Sequence, residues 1–288
     1  MTRIHRVEVV VNLASGGVNA DAPGEIEKIC ADHGLAAHVC APSTHDLANC
    51  LRAAADAGPD LVITLAGDGT ARAAAELCGP QGPLLAPLPG GTMNMLPKAL
   101  YGDRDWPDAL SVALAQGEER DLSGGEVEGR VFLVAAVLGA PALWGAAREA
   151  VRMGAVKLAW LRGRRALKRA FSGRLRYALD GGARAKAEAL VFLCPYVSRA
   201  LPDEASALEA AALDLDGAAD AFRLGFHALI GDWRAAPAVE TAACREARVW
   251  AADGIPALLD GELVRLNAAA KVSYRPAVAR VLALAKAP

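Results

Sequence analysis

Leu61-Val62-Ile63-Thr64-Leu65-Ala66-Gly67-Asp68-Gly69-Thr70 is an apolar run closed by a glycine turn. Leu84-Leu85-Ala86-Pro87-Leu88 follows the same plan and ends in Gly90-Gly91-Thr92-Met93-Asn94. Each run reads as a buried strand, and each turn precedes a helix-like stretch. A strand, a glycine turn and a helix together make a phosphate site. Glycine lets the backbone come close to an anion, and N–H groups at the helix start point at it. Two such units, with an aspartate inside the first turn, point to chemistry on a nucleotide.

Working outward, residues 1–121 alternate strand and helix patterns. Val7 to Asn12 and Ala36 to Ala41 are expected strands. Ala22 to His33, Asp46 to Ala57 and Trp106 to Gln116 are expected helices. Alternation of this kind implies a parallel sheet in a layered α/β domain, with ligands at the carboxyl ends of the strands. Past Asp121 the pattern becomes short apolar segments split by turn residues: Gly125 to Val137, Gly173 to Asp180, Ala189 to Pro195, Phe222 to Leu229, Thr241 to Ala251, Leu258 to Gly261 and Leu263 to Asn267. Residues 122–274 therefore read as a mostly antiparallel β domain. The apolar tail, residues 275–288, is expected to pack back on the first domain.

The bulk numbers fit a folded globular protein. The chain has 288 residues, 53% of them apolar, and a net charge of −2, which excludes a disordered chain. The six cysteines, Cys30, Cys40, Cys50, Cys78, Cys194 and Cys244, form no C-x-x-C. Neither a zinc site nor a disulfide framework is expected, and a reducing cytoplasm is the simplest setting. The five histidines form no H-x-x-x-H pair and read as structural or surface residues. No signal-peptide pattern opens the sequence. The longest apolar stretch, Val131 to Ala147, is broken by Gly139, Pro141 and Gly145 and falls short of the roughly 20 residues of a spanning helix. Membrane contact is expected to be peripheral.

Four motifs resemble those of the diacylglycerol kinase catalytic domain family, which includes bacterial lipid kinases, sphingosine kinases and ceramide kinases. Asn12-Leu13-Ala14-Ser15-Gly16-Gly17 is similar to the family's N-P-x-S-G opening. Gly67-Asp68-Gly69-Thr70 is similar to G-G-D-G-T, and Pro89-Gly90-Gly91-Thr92-Met93-Asn94 to P-x-G-T-x-N. Asp260-Gly261-Glu262 is similar to the C-terminal D-G-E. The resemblance covers nearly the whole chain. It implies an N-terminal α/β nucleotide domain, a C-terminal antiparallel β-sandwich holding a lipid, and an active site in the cleft between them. The chain departs from the pattern at Leu13, Ala66 and Val134. In Leu208-Glu209-Ala210-Ala211-Ala212-Leu213-Asp214-Leu215, alanines stand where many bacterial members carry an Asp-Gly. The resemblance therefore does not carry that family's structural magnesium over to this chain, and no metal ligand is assigned.

Phosphoryl transfer needs a cradle for the donor phosphates, a cation and a base. Asn12, Ser15, Gly16, Gly17, Gly67, Asp68, Gly69, Thr70, Gly91, Thr92 and Asn94 are the candidate cradle, with Ser43 or Thr44 reaching in from the next loop. No P-loop and no protein-kinase signature is present. Three carboxylates compete for the chemistry. Asp68 sits among the candidate phosphate-binding amides. Asp260 and Glu262, two apart on a strand-like segment, are expected to share one face; alternatively Asp260-Gly261 is a type I′ hairpin turn. The resemblance implies Glu262 as base, assisted by Asp260, with Asp68 organising metal and phosphates.

Arg152 to Arg176 contains nine Lys or Arg and no acid. Val156, Trp160, Leu167 and Phe171 recur at helical spacing through it. A basic amphipathic helix over 152–176 fits an anionic membrane surface; a solvated face of a packed helix is the alternative. No nucleic-acid motif appears.

The combined reading is an ATP- and Mg²⁺-dependent lipid kinase, cytoplasmic and peripheral on the inner face of the membrane. It would phosphorylate a diacylglycerol-type hydroxyl. Rival readings are a ceramide or sphingoid-base kinase, an NAD kinase-like enzyme and a non-catalytic nucleotide or lipid sensor. Oligomeric state is not legible.

Overall fold

The computed structural model describes residues 4–42, 46–139, 174–198, 200–202, 205–213 and 239–285. The chain divides into two compact units, residues 1–123 with 276–288, and residues 124–275.

Unit 1 is a layered α/β domain. Its elements run β1 (Arg6–Val11), α1 (Ala22–Asp32), β2 (Ala36–Cys40), α2 (Leu47–Asp56), β3 (Leu61–Ala66), α3 (Asp68–Cys78), β4 (Leu84–Pro89), α4 (Met95–Tyr101) and α5 (Trp106–Gln116). The strands pair in parallel in the order β2-β1-β3-β4. Every residue of β3 is buried, which is why its sequence is an unbroken apolar run and not an alternation. α1 buries Ala22, Ile26 and Cys30, four residues apart along one face. Asp105 caps α5 by accepting from the Asp108 N–H at 3.1 Å.

The long strand β16 (Ala269–Ala283) places its last residues in unit 1. There Arg280 and Val281 pair in parallel with Leu84 and Leu85 of β4. The buried Tyr101 hydroxyl donates to the Leu282 carbonyl at 2.9 Å. Its pairing with β16 ends at Leu85, so the later part of β4 is free to carry Pro87 and Pro89, which lack an N–H.

Unit 2 is a sandwich of two antiparallel sheets. One has six strands in the order β12-β11-β10-β7-β14-β15. These are β12 (Val239–Cys244), β11 (Leu208–Leu213), β10 (Ala189–Leu193), β7 (Ala135–Gly139), β14 (Ile255–Leu259) and β15 (Glu262–Leu266). The other joins β16, β13 (Glu246–Trp250), β8 (Leu175–Leu179) and β9 (Ala185–Ala187). The end of β5 (Glu118–Val127) forms a hairpin with β6 (Arg130–Phe132). The inner faces share one core, which takes Leu138 and Phe192 from the six-stranded sheet and Phe132, Tyr177, Val249 and Val272 from the other.

Three expectations change. Thr241 to Ala251 is not one segment: it splits into β12 and β13, which lie in different sheets. The basic helix cannot reach residue 176, because β8 begins at Leu175 and turns Leu175 and Tyr177 inward with period two. The rest of that run to residue 173, and the segment Phe222 to Leu229, lie outside the described residues. Cys40 and Cys50 are joined as a disulfide, with Cα atoms 6.6 Å apart. The end of β2 and the first turns of α2 come together in space, a proximity that C-x-x-C spacing does not report. Among the described residues no helix is long and apolar enough to cross a membrane.

A Cβ at Gly125 would run into the Phe132 ring across the β5–β6 hairpin. Gly125→Ala should lower stability by about 1–3 kcal/mol in thermal or denaturant unfolding. Phe132→Leu in the same chain should recover part of that loss, since the two residues share the space.

Candidate functional site

Three loops of unit 1 meet at the carboxyl ends of β1, β3 and β4. The backbone stitches them together. Asn12 N–H donates to the Leu65 carbonyl, Gly90 N–H to Ala66, and Gly17 N–H to Gly90, each at 3.0 Å. The approach is so close that side chains are excluded. A Cβ at Gly91 would stand 2.7 Å from the Gly67 Cα, and one at Gly90 2.7 Å from the Ala66 nitrogen. Val18, which the sequence reading passed over, packs on the Gly90 position.

Within this cradle the two glycine turns differ. Gly67 is the N-cap of α3 in an extended conformation, with no side-chain cap. Asp68, Gly69 and Thr70 are already the first turn of the helix. The N–H groups of Thr70 and Ala71 both turn to the Gly67 carbonyl. A Cβ at Gly69 or Gly16 would meet nothing within 4 Å. The start of α3 therefore keeps the positive end of its dipole and open space around Gly69, as anion binding requires.

The second turn is closed on itself. Asp68 accepts from the N–H groups of Met95 at 3.2 Å and Leu96 at 3.1 Å, so it caps α4. Asn94, in the left-handed region at φ 50°, accepts from Gly91 N–H at 2.7 Å and donates to the Gly91 carbonyl at 2.9 Å. Asn94 and Gly91 thus hold each other, and Thr92 stays exposed. The α4 amides that the sequence reading aimed at a phosphate are already taken by Asp68. Asn12 is likewise engaged locally, its side chain accepting from Ala14 N–H at 3.1 Å and its carbonyl from Ser15 N–H. Ser43 and Thr44 lie outside the described residues.

Asp260, Gly261 and Glu262 lie in unit 2. Asp260 and Gly261 both have positive φ, 46° and 89°, and form the two-residue turn between β14 and β15. This is the type I′ geometry that Asp-Gly favours. The expectation that Asp260 and Glu262 share a strand face fails for that reason: Asp260 is in the turn, and Glu262 is the first, exposed residue of β15. The Asp260 carboxylate accepts from three consecutive amides, Leu133 at 2.7 Å and Val134 and Ala135 at 2.9 Å. Its own N–H donates to the Ala135 carbonyl. Asp260 therefore clamps its hairpin to the 133–135 segment, and both of its oxygens are engaged.

The same device recurs. Asp180-Gly181 has φ of 47° and 73°, and Asp180 accepts from Arg245 and Glu246 N–H at 2.9 and 2.8 Å. Glu128-Gly129 has φ of 50° and 74°, and Glu128 accepts from Asn267 N–H at 2.9 Å. The 133–135 amides were invisible to sequence reading because every residue but proline has one. The acid–glycine dipeptide is the signal that could have found the clamps.

Behind the 133–135 segment, Cys194 N–H donates to the Val134 carbonyl at 3.0 Å. Burial, then the charge of Asp260, pushes the Cys194 thiol well above its ordinary range, so it stays protonated. Among the described residues no group of three or more His, Cys, Asp or Glu is placed to hold a metal. Each Asp68 oxygen accepts from one α4 amide.

Comparison with known proteins agrees with the motifs. Residues 6–127 match the family model of the diacylglycerol kinase catalytic domain. No curated protein matches the chain. A solved diacylglycerol kinase from Bacillus anthracis str. Sterne is 14% identical, covers 98% of both chains and superposes with a TM-score of 0.72. A candidate diacylglycerol kinase from the same organism is 15% identical over 98% of both chains, with a TM-score of 0.76. The chain has the fold of these structures, an α/β unit with a diacylglycerol kinase catalytic domain match followed by an antiparallel sheet unit.

Gly91→Ala should force the 90–94 loop off Gly67 and lower stability by about 1–3 kcal/mol, whereas Gly69→Ala should leave the unfolding midpoint nearly unchanged. Asp260→Ala should strand the 133–135 amides, lower stability by about 2–4 kcal/mol and speed their hydrogen exchange. Glu262→Gln should change neither.

Proposed function

We propose that this protein is an ATP-dependent lipid kinase that transfers the γ-phosphate to a lipid hydroxyl, with diacylglycerol as the acceptor class. The observation that carries this reading is the uncapped start of α3 inside a cradle of glycine backbones, on the domain that matches the family model. Such a helix start suits the donor phosphates of ATP. Magnesium enters with ATP as substrate, held chiefly by phosphate oxygens. Gly16, Gly67, Gly69 and Thr70 line the phosphates, while Asp68 and Asn94 keep the neighbouring loops in place.

In the transfer step the lipid oxygen bonds to the γ-phosphorus and the bond from that phosphorus to the β-bridging oxygen breaks. ADP leaves with the bridging oxygen, and the hydroxyl proton passes to Glu262. Glu262 is preferred to Asp260 as base because the three amides occupy the Asp260 oxygens. A lipid acceptor is favoured by where exposed apolar side chains occur. The exposed large ones among the described residues are Leu13, Leu77, Met93 and Leu263. Leu13, Met93 and Leu263 each stand inside or next to one of the motifs. The acceptor would be met at the inner membrane face, with the basic run from Arg152 to Lys168 and Arg169 contributing attraction to anionic lipid.

The test is transfer from γ-labelled ATP to diacylglycerol, ceramide, sphingosine and NAD in parallel. Diacylglycerol should become labelled first, and labelling of NAD alone would overturn the reading. Glu262→Gln should lower kcat about 10²–10⁴-fold with ATP affinity little changed. Gly69→Val should abolish ATP binding in a protein that still unfolds cooperatively, because the side chain would fill the open space before α3.

A further inference from the structure

The outer face of the β16-β13-β8-β9 sheet in unit 2 is basic. Strand register puts Lys186 opposite Arg176, and Arg176 opposite Trp250. One step along, Arg248 stands opposite Lys271. These residues alternate with Leu175, Tyr177, Ala187, Ala247, Val249 and Val272, which point into the core, so all of them face out. Arg184 lies over the Trp250 ring, 5.2 Å from its centre. Arg275 continues the face on β16. Among the described residues, six cations therefore meet two strand carboxylates. Glu246 bridges Lys271 at 2.7 Å and Arg248 at 3.3 Å, and Glu126 pairs with Arg275 at 3.2 Å. At the rim, Asp180 Oδ1 accepts from the Arg245 and Glu246 amides.

This concentration runs against the chain as a whole, whose net charge is −2. It also runs against sheet stability. Like charges directly opposite each other on neighbouring strands destabilise a sheet. Glu246 relieves that cost for Arg248 and Lys271. Among the described residues, no carboxylate pairs with Arg176 or Lys186. The side chains of Arg248 and Lys271 remain 67% and 57% exposed, and Arg176, Arg184 and Lys186 are exposed as well. A cationic row beside a half-buried tryptophan complements a flat, wide anionic surface with an apolar layer just beneath it. Cations meet the headgroups, and an amphipathic aromatic ring sits at the boundary.

We propose that this sheet face is a membrane-docking surface that recognises bilayers rich in anionic phospholipid, through Arg176, Arg184, Lys186, Arg248 and Lys271 with Trp250 as the interfacial anchor. It uses no residue of the run up to residue 173, and it does not depend on which acceptor is phosphorylated. Arg184 keeps the Trp250 ring in place until the ring meets lipid.

The experiment is sedimentation of the full chain with phosphatidylcholine vesicles, with and without phosphatidylglycerol, over a salt series. Binding should require phosphatidylglycerol and weaken as salt rises. The combined change Arg176→Gln, Lys186→Gln, Arg248→Gln and Lys271→Gln should reduce partitioning onto acidic vesicles by roughly 10²-fold or more. The side chains are exposed, so the unfolding midpoint should hold. Brominated lipid should quench part of the tryptophan emission, and Trp250→Phe should remove that part. Wild-type binding by the four-site variant, equal binding to neutral vesicles, or quenching that survives Trp250→Phe would each overturn the proposal. These readouts involve no phosphotransfer, so they stand or fall apart from the kinase assay.

Discussion

Gly91 lies against Gly67 only because neither has a side chain, and the candidate phosphate site depends on that contact. Any Cβ at Gly91 would stand 2.7 Å from the Gly67 Cα, well inside van der Waals contact. With both glycines in place, the loops after β3 and β4 touch backbone to backbone. Asp68 then reaches across to the first amides of α4, and Asn94 closes its own loop on Gly91. One helix start is sealed and the other is left open. The asymmetry between two similar motifs follows from their packing against each other.

Unit 2 rests on a different economy of backbone groups. Its hairpins use acid–glycine turns in the left-handed region, and the acidic side chain ties the turn to the amides of a neighbouring segment. A carboxylate oxygen accepts such bonds strongly because it is charged. The result is that Asp260 registers β14 and β15 against the start of β7. It thereby sets where β15, and with it Glu262, begins. A network continues inward through Cys194 and on to Ser198, which donates to the buried Glu209 at 2.5 Å. Position in the fold, not residue type, makes Asp260 an anchoring acid, because both of its oxygens are engaged by the 133–135 amides.

The two faces of the β16-β13-β8-β9 sheet show how strand alternation serves two purposes in one segment. Arg248 faces out between Ala247 and Val249, which are fully buried. The inner set builds the sandwich core, and the outer set builds the basic face. Neither constrains the other, because the pleat sends them in opposite directions.

The sequence by itself determined the fold class and where the motifs stand. Short apolar, β-branched runs such as Leu61 to Leu65, closed by glycine turns, read as strands buried on both faces, and the glycines after them mark where the backbone must turn tightly. Helix α1 was legible from Ile26, Ile29 and Cys30 because helical periodicity is a local property. Tertiary structure alone decided what each polar group does. Whether Asp68 meets a phosphate or an amide depends on α4, reached through Met95 and Leu96 far along the chain. Whether Asp260 is a base or a clamp depends on residues 133–135. The pairing of Cys40 with Cys50, and the split of Thr241 to Ala251 between two sheets, depend likewise on strands being brought together. The physical reason is that hydrophobic periodicity is written along the chain, whereas a hydrogen bond is satisfied by whatever donor the fold delivers, and backbone donors leave no mark in the sequence.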